Sequence, residues 1–285
     1  HLDTQATRST LMSVDSTLSE NITAAQNYIP IASTTNFSTG VVAEIETTNE
    51  IVSFTDISAN TFKNSQDYSG SGWIRYNTTV TTDTTTAPDG TTTADKLQQN
   101  SGSTNADLSN LQYTGLTSTS GTDYTISIYA KISADRDFLM INDHISSAFY
   151  RKTWFNLSTG TIGTVNANHT ANLSDEGDGW YRCSISLTSA ITNTDSIIAF
   201  APTETNGSPT VTDNEGSLFL WGAQLEIALL SATTYLPTTT TAPLYGLTDV
   251  TRGVNGTTAQ SASSSDSIQQ LPYALSEVDM PIRLK

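Results

Sequence analysis

The chain of 285 residues holds 12 Lys and Arg against 28 Asp and Glu, and this net charge of −16 excludes nucleic acid, whose phosphates demand clustered cations. Charged residues make up 14% and apolar residues 36%; the other polarity comes from Thr, Ser and Asn, which suit strands and turns better than helices. No apolar run approaches the roughly 18 residues of a membrane span, and the single cysteine, Cys183, excludes an intrachain disulfide.

Residues 1–27 are polar. Leu11, Val14, Leu18 and Ile22 are spaced for a short amphipathic helix or an extended arm lying on a neighbour. From Tyr28 the pattern changes to short alternating runs at 28–31, 41–45 and 50–55, parted by the turn-rich stretches 36–40 and 47–49. These predict three strands of a small β-meander or barrel-like module. About 35 residues bury too little apolar surface to offset their own ordering, so the meander needs a partner segment. Residues 245–259 are the candidate, making a discontinuous module of 28–62 plus 243–271.

Between its halves lies an insert, residues 63–242. It opens with Trp73-Ile74-Arg75-Tyr76 and a turn-rich run at 85–97. Strands are then expected at 124–132, 138–142, 150–157, 180–187, 196–201 and 218–226, the close spacing of a two-sheet sandwich. Around Trp180 alternation puts Tyr181, Cys183, Ile185 and Leu187 on one face and Trp180, Arg182, Ser184 and Ser186 on the other. The fold class expected is all-β, a jelly-roll β-sandwich inserted into the small module, with a second arm at 272–285.

The segments 37–40, 50–55 and 251–259, the last reading Thr-Arg-Gly-Val-Asn-Gly-Thr-Thr-Ala, together resemble a small β module of tailed-bacteriophage virion proteins. In that module the counterpart of 59–62 runs almost directly into that of 247–253. The insert has its own resemblance. Ala87-Pro88-Asp89-Gly90, Ala94-Asp95-Lys96-Leu97, the stretch 124–131, Trp154-Phe155-Asn156-Leu157-Ser158-Thr159-Gly160, Gly179-Trp180-Tyr181-Arg182-Cys183 and Trp221-Gly222-Ala223-Gln224-Leu225-Glu226 follow the order seen in jelly rolls of phage tail and fibre proteins. Those modules look like the carbohydrate-binding modules of glycoside hydrolases.

The resemblance implies a virion component of tail, fibre or baseplate whose insert binds host cell-surface polysaccharide without catalysis. The alternative it leaves open is a purely structural decoration protein. Partners would be other virion proteins and copies of the chain itself, most simply as a trimer, with no membrane insertion. A glycan site in such a sandwich sets an aromatic ring against the sugar, flanked by amides, carboxylates or guanidinium groups. The candidates are Tyr129, Asn142, Tyr150, Trp154, Arg182 and Gln224. Alternation gives Tyr150, Lys152, Trp154 and Asn156 one face and turns Tyr129 away from Ile126, Ile128 and Ala130.

Each candidate also has a plainer reading. Trp180 and Trp221 flank tight turns and suit core or rim packing, and Arg182 could pair across strands with Gln224 or Glu226. The resembled jelly rolls often hold a structural calcium ion, for which Asp95 and Glu226 are the positions expected, two carboxylates towards the six or more oxygens required. No other cofactor is expected. His1, His144 and His169 do not cluster for zinc, and no catalytic motif is present. Asp143-His144 sets an acid beside a base, but neighbours on a strand point to opposite faces. The chain is expected not to be an enzyme.

Overall fold

The computed structural model describes residues 16–19, 22–23, 26–33, 37, 42–48, 50–54, 56–145, 150–211, 216–240, 244–254, 256–264 and 266–270. In chain order the strands are β1 (Ser16–Thr17), β2 (Ile29–Ile31), β3 (Val42–Ile45), β4 (Glu50–Ser53), β5 (Asp56–Asn60), β6 (Trp73–Tyr76), β7 (Thr78–Thr85), β8 (Ala94–Gln99), β9 (Asn110–Ser118), β10 (Asp123–Ala134), β11 (Phe138–Asp143), β12 (Arg151–Asn156), β13 (Thr161–Ile162), β14 (Thr170–Gly177), β15 (Trp180–Thr188), β16 (Asn193–Thr203), β17 (Ser217–Ile227), β18 (Leu244–Thr248) and β19 (Ser267–Gln270). One short 3-10 helix, η1 (Ala106–Leu108), precedes β9. The chain forms two compact units, His1–Ala59 with Thr233–Leu236 and Leu244–Lys285, and Asn60–Ala232 with Pro237–Pro243.

The smaller unit has two sheets, β1-β19-β3-β4 and β2-β18-β5. Its core gathers Ile29, Ile45, Val52, Phe54, Leu247 and Ile268. Leu18 and Ile22, each 2% exposed, join that core and bridge to Ile31 and Ala262. Of the segment expected as a short helix or an extended arm on a neighbour, Leu18 and Ile22 thus pack on the chain's own core, supplying apolar surface that the meander lacks. Leu11, Val14 and the arm at 272–285 lie outside the described residues.

Buried beside this core is an ion pair. Arg252 grips Glu50 with two nitrogens, Nε to Oε1 at 2.6 Å and a terminal nitrogen to Oε2 at 2.7 Å. The backbone N–H groups of Gly253 and Gln260 donate to the same carboxylate.

The larger unit is a two-sheet jelly-roll sandwich, with antiparallel sheets β14-β15-β10-β17-β8-β7 and β13-β12-β11-β16-β9-β6. Its core takes alternate residues from each strand: Ile126 and Ile128, Cys183, Ile185 and Leu187, against Ile141, Phe155 and Phe200. Burial pushes the Cys183 thiol pKa well up, so it stays an inert packing group. Trp180 and Trp221 are buried, their indole N–H groups donating to the Thr86 carbonyl and Thr93 Oγ1. Both are framework.

Several strands of the larger unit exceed the sequence pattern. Edge strands β7 and β14 are largely exposed, so no apolar alternation marks them. Strand β8 starts inside the run 85–97 that reads as turns, and Gly115, at φ 73°, accompanies a register shift against β16 that breaks the alternation of β9.

Burial alone would raise the Glu50 carboxyl, but the bonds from Arg252, Gln260 and Gly253 outweigh it and hold the pKa below 4.5. The stability this group contributes is therefore present above pH 4.5 and lost as pH falls through the lowered folded value. Arg252→Met leaves a buried carboxylate unpaired and should cost the smaller unit about 3–5 kcal/mol at neutral pH. Urea unfolding of both proteins across the acid range checks this, the deficit shrinking as Glu50 is protonated.

Candidate functional site

The larger unit has two outer sheet faces, and the six candidate residues divide between them. Asn142, Tyr150 and Trp154 meet on the face of β13-β12-β11-β16-β9-β6. One cross-strand row runs from Lys152 through Asn142, Ala199 and Gln112 to Ile74. The next sets Trp154 beside Met140 and Ala201, and Ala106 of η1 and Val211 pack onto it. Tyr150, just before β12, is 50% exposed, with its ring 5.1 Å from that of His144.

Beside β12 lies a cleft of about 380 Å³, lined by Tyr150, Lys152 and Trp154 on one side and Thr164, Val165, Asn166 and Ala167 on the other. Hydrogen bonds pin the second wall to β12. The Trp154 N–H donates to the Thr164 carbonyl at 2.9 Å, and the Gly163 N–H returns a bond to the Trp154 carbonyl at 2.8 Å. Asn206 Oδ1 accepts from the Thr164 N–H, and Thr153 Oγ1 from the Asn166 N–H.

Behind this wall is a buried polar chain. Thr153 Oγ1 lies 2.9 Å from His169 Nδ1, and His169 Nε2 lies 2.8 Å from Asp143 Oδ2. Asp143 Oδ1 accepts the Ile145 N–H. The partner of Asp143 is thus His169, not the adjacent His144. Both side chains of the pair are sealed from solvent, so they brace the loop and do not face a substrate.

Across the face, Lys152 Nζ lies 2.6 Å from Asp107 Oδ2. Six buried polar atoms on or beside this face have no partner among the described residues: Asp107 Oδ1, Asn110 Oδ1, Asn142 Oδ1, His144 Nδ1, Trp154 Nε1 and Thr203 Oγ1. They lie beneath the face and not on its accessible surface.

The opposite face differs. Tyr129 is 7% exposed, packed edge-on against Trp221 at 5.1 Å, with the Arg182 guanidinium 5.3 Å over its ring. Gln224 is fully buried. The chain closes over this face where Thr86 and Thr93 hold the two indoles and where Thr125 Oγ1 donates to the Leu229 carbonyl. Arg182 stands opposite Tyr129, not opposite Gln224 or Glu226, because β10 separates β15 from β17; it donates to Ser127 Oγ. Tyr129 and Gln224 are packing residues and do not join the cleft, and Arg182 lies with them.

Asp95 and Glu226 do not fit a shared calcium ion. Asp95 pairs with Leu220 and so points into the core, whereas Glu226 pairs with Thr125 on the outer face of the same sheet. Both Asp95 oxygens are taken, by the N–H groups of Tyr68 and Asp83. Among the described residues no three His, Cys, Asp or Glu side chains gather as metal ligands. Sequence reasoning missed Asp107 and the 164–167 wall because neither lies in a strand pattern; Lys152 was legible from its alternation with Trp154.

No protein-family profile matches the sequence, and no curated protein does. Several solved structures resemble part of it. A CBM4 chain is 19% identical with a TM-score of 0.34, the match covering 55% of this chain and 94% of that one. The CBM22-1 xylan-binding domain from Paenibacillus barcinonensis Xyn10C is 14% identical with a TM-score of 0.34, covering 62% and 97%. The enzymatically active domain of tailspike protein 4 of bacteriophage CBA120 is 12% identical with a TM-score of 0.36, covering 59% of this chain and 21% of the tailspike chain. Likenesses this weak leave ligand and activity to be argued from this chain's own residues.

The Asp95 carboxyl is pushed up to about 6, chiefly by burial and further by the Asp67 and Asp83 carboxylates, against the two backbone N–H bonds. The folded chain therefore keeps this proton up to about pH 6, while the unfolded chain releases it near 3.8. Stability of the larger unit should fall on this account as pH rises between those values, by on the order of 3 kcal/mol in all, and not change further above them. Denaturant unfolding of wild type beside Asp95→Asn measures it, the variant lacking that slope.

Proposed function

We propose that this chain is a non-catalytic glycan-binding component of a phage virion, whose jelly roll holds host surface polysaccharide in the cleft between Tyr150, Lys152 and Trp154 and the 164–167 wall. The observation that carries the reading is the meeting of the half-exposed Tyr150 ring, the Trp154 indole and the polar side chains of Lys152, Thr164 and Asn166 in one cleft. A pyranose offers what such a surface needs, an apolar ring face for the aromatics and a fringe of hydroxyls for the polar atoms. The non-catalytic reading is supported by the sealing of Asp143, His169 and Thr153, the one acid–base–hydroxyl chain among the described residues.

The virion part of the reading rests on the order of the sequence motifs. It places the chain on the particle surface beside other virion proteins and copies of itself, most simply as a trimer. The alternative, structural decoration without sugar, has one observation in its favour. Ile74 and Tyr76 are 46% and 47% exposed on the edge strand β6, where a neighbouring protein chain could pair.

The experiment is binding of the full chain, displayed in many copies, to an array of bacterial surface polysaccharides. Tyr150→Ala should weaken the positive interactions about 5–10-fold, the loss of roughly 1 kcal/mol of stacking. Its stability should stay within about 0.5 kcal/mol, because the ring is half exposed. Unchanged binding by this variant would move the site elsewhere, and no binding by folded wild type would favour structural decoration.

A further inference from the structure

Lys152 is the one charged residue among those that line the cleft, and it does not face the cleft as a free cation. Its ammonium lies 2.6 Å from Asp107 Oδ2, with the two side chains only 22% and 26% exposed. A pair so placed is screened less than one on open surface, so the cancellation of charge holds in salt. Asp107 is well fixed. Its own N–H donates to Asn105 Oδ1 at 2.8 Å, and its carbonyl accepts from Asn110 Nδ2 at 2.9 Å. The Ala106 N–H, one residue before, donates to the Pro209 carbonyl at 2.7 Å.

The unpaired atoms around the pair have a sign. Asp107 Oδ1, Asn110 Oδ1 and Asn142 Oδ1 are acceptors, and Trp154 Nε1 is the one obligate donor among them. The orientation of Asn110 is settled because its Nδ2 already donates to two carbonyls. These oxygens lie beneath the face and touch no ligand, so they act only through their partial negative charge. That charge works against a carboxylate or phosphate in the cleft and not against a neutral hydroxyl.

We propose that Asp107 is the specificity-determining residue of this cleft: by neutralising Lys152, the one charged residue that lines it, Asp107 selects neutral, hydroxyl-rich glycans over those bearing uronate or phosphate. The inference rests on the glycan-binding reading. The net charge of −16 acts in the same direction at longer range, repelling polyanions before contact. Replacing Asp107 by Asn keeps the side chain's shape and its backbone anchors, and leaves Lys152 as an unmatched cation at the cleft.

The test uses the full chain in multivalent form. The probes are neutral surface polysaccharides, mannan and galactan first and then every neutral polymer that binds on the array, each beside the same polymer oxidised at C6 to its uronate. Wild type should bind the neutral member at least about tenfold more tightly. Asp107→Asn should close that ratio by about tenfold or reverse it, the gain for the uronate fading towards 1 M salt. The double variant Asp107→Asn, Lys152→Gln should show no such gain. Equal binding of both members by wild type, or a ratio that Asp107→Asn leaves unchanged, would overturn the inference while the glycan reading stands. Failure of folded wild type to bind any polymer would overturn both.

Discussion

In the larger unit two sheets share one apolar layer, and because strand side chains alternate, every residue given to that layer fixes its neighbours on an outer face. Ile126, Ile128, Ile185 and Phe200 commit their strands in this way. What then distinguishes the two outer faces is what the chain lays over them. Loop residues Thr86 and Thr93 cap Trp180 and Trp221, and the Leu229 carbonyl takes the Thr125 hydroxyl, so the ring of Tyr129 ends as packing. On the other side, among the described residues, the short η1 and the Val211 segment cover Met140 and Trp154, and the cleft beside β12 stays open. Composition alone would rank the two aromatic clusters alike; covering loops separate them.

The outer wall of the cleft is a loop held by bonds to Trp154, Thr153 and Asn206. The buried run from Thr153 through His169 to Asp143 gives that loop a footing in β11 and β12. Such networks are costly when incomplete and rigid when complete. A rigid wall suits a binding surface, because little ordering remains to oppose the ligand.

Much of this was legible in the sequence where side chains alternate strongly. The faces of the strand from Trp180 to Leu187 follow from its apolar residues, as does the shared face of Tyr150, Lys152 and Trp154. Legibility failed in two physical situations. Exposed edge strands such as β7 carry no burial signal, and loop residues such as Asp107 and Asn166 reach the site through tertiary bonds without a periodic trace. The pairing expected for Arg182 failed because strand order is not sequence order: β10 stands between the partners. The same applies to Asp95 and Glu226, two carboxylates on opposite faces of one sheet.

The central claim is that ligand engages the face of β12 and not that of β10. Amide hydrogen exchange of the full chain, free and saturated with a bound polysaccharide, tests it most directly. The account predicts added protection at Trp154, Gly163 and Asn166, whose N–H groups join the two walls of the cleft. Protection that instead appears around Thr125, Tyr129 and Arg182, with the amides of the cleft walls unchanged, would contradict it.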